Sequence, residues 1–141
     1  MSYSILIVDD SLPMRSVIKK TFKMAGFGTS NFLEAGNGKE ALELMKNDWI
    51  DIVITDYNMP VMNGMELIKA IKSNDLLQEI PIIVISTEGS DAKIKEFMDF
   101  GAAGYITKPF APETIRDLII SILGEVDYDE DIDEDDDDFD F

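Results

Sequence analysis

Ile5-Leu6-Ile7-Val8-Asp9-Asp10 decides how the rest of the chain is read: four apolar residues, three of them β-branched, run straight into two carboxylates. The run is too short for a globular helix, and its β-branched content favours an extended strand. Unbroken apolarity, in place of alternation, marks a strand covered on both faces, as in a parallel sheet with helices on each side. Residues 50–54 and 82–85 repeat the pattern, and weaker strands of mixed polarity fit 28–33 and 103–107 as sheet edges.

Between these runs the period changes to that of a helix. Met14, Val17, Ile18, Thr21, Phe22 and Ala25 recur at i, i+3, i+4, i+7, i+8 and i+11, and Gly26 stops the pattern. Asn37 with Glu40 three residues on resembles a capping arrangement for a second helix through about residue 46. Further helices fit 64–72, 90–100 and 112–123, the last opening on Pro112. A βα unit repeated five times predicts right-handed crossovers and a doubly wound, five-stranded parallel sheet.

Composition narrows the chemistry. The 141 residues hold 12 Lys+Arg against 29 Asp+Glu, a net charge of −17. Residues 125–141 carry 12 of the acids and no base, which leaves 1–124 at −5. The expected organisation is therefore one domain over 1–124 and an acidic, disordered tail over 125–141. Neither part offers a basic footprint, so nucleic acid and anionic membrane are not expected partners. The absence of Cys and His removes disulfides, thiolate chemistry, imidazole metal sites and Ser-His or Cys-His catalysis. No apolar run reaches the ~18 residues of a membrane span, and Met1-Ser2-Tyr3-Ser4 lacks a basic signal region, so a cytoplasmic location is expected.

In open α/β sheets, ligands bind beyond the carboxyl ends of the strands. Here those ends carry Asp9-Asp10, Thr55-Asp56, Ser86-Thr87-Glu88 and Lys108-Pro109. Taken singly, each has an ordinary use: Asp10 or Ser11 as a helix cap, Asp56 as a turn residue, Ser86 as a loop hydroxyl, Lys108 as a solvated charge. Together they converge, and carboxylates that converge repel one another unless a cation is present. All-oxygen ligands suit Mg²⁺, held by Asp9 and Asp10 directly or through water. Asp56 is then placed to attack phosphorus, with Ser86 and Lys108 gripping the phosphoryl group. No Gly-rich phosphate loop is present, so ATP is not expected to be the direct donor.

The residues Asp9-Asp10, the segment Asp56-Tyr57-Asn58-Met59-Pro60-Val61-Met62-Asn63-Gly64, Ser86 and Lys108-Pro109-Phe110 resemble the receiver domains of two-component response regulators over about residues 3–123. Within that family the chain looks most like the stand-alone chemotaxis regulators of the CheY type. The resemblance implies a flavodoxin-like (βα)5 fold with strand order 2-1-3-4-5. It also implies Asp56 as phosphoacceptor, Mg²⁺ at Asp9, Asp10, Asp56 and the backbone carbonyl of Asn58, and a Lys108–Pro109 peptide in cis. Ser86 and Tyr105 are the implied switch pair, and Asn58 and Glu88 the implied tuners of self-dephosphorylation. Implied partners are a sensor histidine kinase as phosphohistidine donor, a downstream target such as a flagellar motor switch, and a phosphatase, with the regulator itself monomeric and not a turnover enzyme.

Three alternatives stand beside this reading. A phosphorelay intermediate without motor function uses the same residues. An Mg²⁺-dependent aspartyl-phosphate phosphatase of the haloacid-dehalogenase type needs a second acid two residues after the nucleophile, where this chain has Asn58. A flavin carrier would meet the acids Asp9 and Asp10 where its phosphate should bind. The tail lies outside the common family pattern; Tyr128, Phe139 and Phe141 among its acids suggest docking on a basic partner or on Lys93 and Lys95, and it is expected to leave the body far from Asp56.

Overall fold

The structure, a computed structural model, describes residues 2–124. The expectations for the tail lie outside the described residues. Five strands, β1 (Ser4–Val8), β2 (Asn31–Ala35), β3 (Ile52–Thr55), β4 (Ile82–Ser86) and β5 (Gly104–Thr107), alternate with α1 (Leu12–Phe22), α2 (Gly38–Asn47), α3 (Gly64–Lys72), α4 (Asp91–Asp99) and α5 (Pro112–Leu123). The strands form one sheet in the order β2-β1-β3-β4-β5, and every pairing is parallel. The fold is the doubly wound, flavodoxin-like one that the sequence predicts.

Strand alternation splits the apolar residues into two cores. Leu6, Val8, Val53, Ile82 and Val84 meet Met45 of α2, Leu67 and Ile71 of α3 and Phe97 of α4. Ile5, Ile7, Ile52, Ile54, Ile83 and Ile85 meet Ile18 and Phe22 of α1 and Ile115 and Ile119 of α5. Every residue of β3 and β4 is buried, which is why these strands show no polar alternation. Among the described residues, no helix is long and apolar enough to cross a membrane.

Boundaries shift where local geometry overrides the pattern. The helical period through Ala25 ends as a α-helix at Phe22; a π-type turn, Lys23–Phe27, then carries Gly26 at φ 107° and buries Ala25 and Phe27. Phe27 packs against the rings of Phe22 and Tyr3, at centroid distances of 5.9 and 6.3 Å, and this insertion pushes β2 three residues later than expected. Ile50 is buried but precedes β3, whose pairing begins at Ile52 opposite Ile5.

The β3–α3 loop doubles back on itself. Gly64 N–H donates to the Tyr57 carbonyl at 2.8 Å and Gly38 N–H to the Met62 carbonyl at 3.1 Å. Asn63 then caps α3 in a reciprocal capping box with Glu66. A Cβ at Gly64 would press on the Asp56 carbonyl closer than real contacts allow, so glycine is required for the close approach of the two chain segments. Gly64→Ala should lower the unfolding free energy by about 1–3 kcal/mol through this overpacking. Gly28, at φ −65° with open space around it, should instead tolerate alanine with a gain of about 0.4–1 kcal/mol. Urea unfolding of the two variants checks both signs.

Candidate functional site

Asp9 and Asp56 stand one residue beyond β1 and β3, at neighbouring strand ends. Asp9 N–H donates to the Ala35 carbonyl at 3.0 Å and Asp56 N–H to the Val8 carbonyl at 2.9 Å, so the ladder continues past the strands and fixes both acids at the sheet edge. The capping role falls to Ser11, whose hydroxyl accepts from Met14 N–H at 3.2 Å, while Asp9 Oδ1 accepts from Ser11 N–H at 2.9 Å. Asp10 takes no part in the cap and stays exposed. Carboxylate oxygens of Asp9, Asp10 and Asp56 lie within 4.8 Å of one another.

Lys108 is the cation that meets them. Its Nζ lies 3.7 Å from Asp9 Oδ2 and 3.8 Å from Asp56 Oδ1. Its own N–H donates to the Ser86 carbonyl at 2.8 Å, which joins the β5 end to the β4 end, and the Lys108–Pro109 peptide is cis. Ser86 is buried, and its hydroxyl accepts from Glu88 N–H at 3.1 Å. Asn58 and Glu88 are exposed at the same edge. Every site residue expected from the sequence thus falls on the carboxyl side of the strands, apart from Tyr105, which lies within β5.

The electrostatics are unbalanced in a specific way. Burial raises the Asp56 pKa above the ordinary aspartate value; Lys108 and the Tyr57 N–H, which donates to Oδ1 at 2.8 Å, pull it down, and Asp9 and Asp10 add to the rise. Of the three clustered carboxylates, Asp9 and Asp56 share one ammonium and Asp10 has no cation within 4.0 Å among the described residues. Asp9 Oδ2 is buried and makes no hydrogen bond. A buried carboxylate oxygen without a donor, beside two further carboxylates and no nitrogen or sulfur ligand, fits a hard divalent cation. Asp9, Asp10 and Asp56 are the residues that would hold it.

Two sets of contacts around the site escaped sequence reasoning. Arg15 donates from Nε to Glu34 Oε1 at 2.9 Å and from Nη1 to the Asp9 carbonyl, and Lys19 reaches Glu34 Oε2 at 2.9 Å. Two cations four residues apart on α1, opposite a lone acid in β2, were the readable signal. The second group is aromatic. Tyr57 meets Phe97 edge-on at 5.1 Å, Phe97 meets Tyr105 at 5.6 Å, and the Tyr105 hydroxyl donates to the Glu88 carbonyl. Lys93 lies 4.8 Å from the Tyr57 ring centre and pairs with Glu96 at 3.1 Å, while Lys95 pairs with Asp99 at 2.8 Å. Both lysines suggested as tail contacts are therefore already paired within α4.

Hydrogen bonds from Lys19 first, and then Arg15, hold the Glu34 carboxyl below the ordinary glutamate range. A lowered folded-state pKa stabilises the fold above the unfolded-state value and loses that stabilisation as pH falls through the folded-state value. Glu34→Gln should therefore reduce stability at neutral pH and flatten its decline in acid, as read by urea unfolding across that range.

Comparison with known proteins agrees with this architecture. The family model described as response regulator receiver domain matches residues 5–120. The chain is 42% identical over 124 residues to chemotaxis protein CheY1 of Helicobacter pylori, covering 87% of this chain and 98% of that protein. It is 40% identical over 121 residues to a CheY homolog of Campylobacter jejuni, covering 85% and 92%. Among solved structures, Vibrio cholerae CheY4 superposes with a TM-score of 0.76 at 34% identity, over 86% of this chain and 99% of that one. A Borrelia burgdorferi CheX–CheY–BeF3–Mg²⁺ complex matches with a TM-score of 0.77 at 30% identity, over 87% and 90%. With its sheet order, its acidic strand ends and these relatives in agreement, the chain belongs to the response regulator receiver domain family and is of the CheY type.

Proposed function

We propose that the chain is a phosphorylation-driven switch in which Asp56 accepts a phosphoryl group from a histidine kinase. The observation that carries this reading is the half-buried Asp56 carboxylate, set between Lys108 and two further carboxylates at the sheet edge. In the transfer, an Asp56 oxygen forms a bond to phosphorus as the phosphorus–nitrogen bond of a phosphohistidine breaks, and the imidazole nitrogen keeps the electron pair. Asp9, Asp10, Asp56 and the Asn58 carbonyl would hold Mg²⁺, which would supply positive charge against the phosphoryl oxygens and the acids. Lys108 adds its ammonium to the same oxygens, and Ser86 turns its hydroxyl toward them. Asn58 and Glu88 orient the water that later hydrolyses the acyl phosphate.

Output follows from the demand on Ser86. Its hydroxyl now accepts from Glu88 N–H, and the Glu88 carbonyl accepts from the Tyr105 hydroxyl, so recruiting Ser86 disturbs the bond that holds the Tyr105 ring. Tyr105 then redistributes between outward and inward positions on the α4–β5–α5 face. The partner read by that face is a downstream protein such as a flagellar motor switch. The chemotaxis names of the relatives, and the CheX-bound CheY of Borrelia burgdorferi, support a partner-binding role.

Asp56→Asn should abolish hydroxylamine-labile labelling by an acyl phosphate donor in the presence of Mg²⁺; a label that persists would place the acceptor elsewhere. Replacing Asn58 and Glu88 together by apolar residues should lengthen the lifetime of the label by roughly tenfold, less than the ~10²–10⁴ of full general acid–base catalysis because these side chains orient the water without taking its proton. Pulse-chase of the phosphoprotein measures it.

A further inference from the structure

The amino-terminal edge of the sheet, opposite the carboxylate cluster, carries a cleft of about 500 Å³ between the α2–β3 and α3–β4 connections. Met45, Ile50 and Leu77 are buried at it, whereas Trp49 and Leu76 on its rim are 80% and 90% exposed. An exposed large apolar pair beside an apolar cleft is unusual on a protein surface. Both are also held in place. Trp49 Nε1 donates to Asp51 Oδ1 at 2.9 Å, and Asp51 Oδ2 accepts from Ser4 N–H at 2.7 Å, so the indole is tethered to the start of β1. Leu76 N–H donates to Asn74 Oδ1 at 2.8 Å, which folds its loop into a fixed turn. With its one polar atom satisfied internally, Trp49 offers a partner only apolar surface. Such preordering lowers the entropy lost on binding.

The charge of the cleft selects the partner. Its lining holds Asp48, Asp51 and Glu79 against Lys46. Asp51 is engaged, as above, whereas Asp48 and Glu79 form no ion pair or side-chain hydrogen bond among the described residues. Helices α2 and α3 end beside it, at Asn47 and Lys72, and bring the negative ends of their dipoles. The nearby Lys72 is occupied, donating to the Gln78 carbonyl at 2.9 Å. The chain itself is a poor occupant. It carries a net charge of −17, and residues 125–141, with 12 acids and no base, follow α5, whose last turn lies at this same edge. A second copy or the acidic segment would bring like charge to an acidic rim.

We infer that this cleft is a second docking surface, built for a basic amphipathic helical segment of a partner protein: apolar side chains enter between Trp49 and Leu76, and flanking Lys or Arg meet Asp48 and Glu79. The surface stands a full strand length, about 15 Å, from Asp56. A partner held here leaves the α4–β5–α5 face uncovered, so the regulator can be tethered and still read out.

Trp49 is the single tryptophan of the chain, so its fluorescence reports the site directly. The probe is a helical peptide of about 18 residues made of Leu and Lys in an amphipathic pattern, without aromatic residues. It is titrated into the full chain at about 0.15 M salt, where long-range attraction to exposed acids is screened. The expected result is a saturable blue shift of Trp49 emission, with amide shift changes centred on residues 45–51 and 74–81. Leu76→Asp, and separately Asp48→Lys with Glu79→Lys, should each weaken binding by roughly fivefold or more. The same composition scrambled so that it has no apolar face, and a Leu/Glu peptide, should not bind. Unchanged affinity in the variants, equal binding of the scrambled or acidic peptide, or amide shifts centred elsewhere would overturn the proposal, as would a Leu76-dependent dimer in sedimentation.

Discussion

Lys108 reaches Asp9 and Asp56 at 3.7 and 3.8 Å, and around that one ammonium three carboxylates have been drawn within 4.8 Å of one another. Most of what the fold does at this edge serves to hold that imbalance in place. Carboxylates left to themselves would separate or protonate. Here the ladder bonds of Asp9 and Asp56 to the adjoining strands, the Arg15 bond to the Asp9 carbonyl and the Lys108 N–H bond to Ser86 keep the charged groups from moving apart. The surrounding apolar strands, buried through their full length, make the frame stiff enough to bear the repulsion. A site organised in this way is poised to respond to added charge of either sign, which is the physical basis of a switch.

The two edges of a parallel sheet differ in kind. Helix amino termini and strand carboxyl ends meet at one edge, where backbone N–H groups and loops can cradle anions; helix carboxyl termini meet at the other and make it electronegative. In this chain the first edge has gathered the acids and Lys108. The second carries an apolar cleft rimmed by Trp49 and Leu76. On the assignments proposed above, signal reception and attachment fall to surfaces that do not compete.

Much of this architecture is legible in the amino-acid sequence alone. Central strands betray themselves because burial on both faces demands the unbroken runs at 5–8 and 82–85, and the helices from Gly38 and Pro112 follow from the capping Asn37 and an N1 proline. The acids and Lys108 were legible because each lies within two residues of a strand's carboxyl end. What was hidden depended on contacts distant in sequence. Nothing local announces that Phe27 would plug the core through a π-type turn and delay β2, or that Ile50 would be buried outside its strand. The bridge from Tyr57 through Phe97 to Tyr105 joins three elements and has no single-segment signature. Trp49 and Leu76, scattered in two loops, read as ordinary exposed apolar residues until the fold sets them on one rim.

The carboxylate cluster is short of positive charge, and a divalent cation held by Asp9, Asp10 and Asp56 would make up the deficit. Urea unfolding of the full chain with and without Mg²⁺ tests it most directly, with Asp9→Asn as reference because acids outside the cluster bind cations in both proteins. A cation that binds only the folded site stabilises it by RT ln(1 + [L]/Kd), about 2.7 kcal/mol at a hundredfold excess over Kd. Mg²⁺ should raise the stability of the native chain progressively with concentration, and Asp9→Asn should lose most of that increment. Equal responses to Mg²⁺ in the two proteins, or none in either, would contradict it.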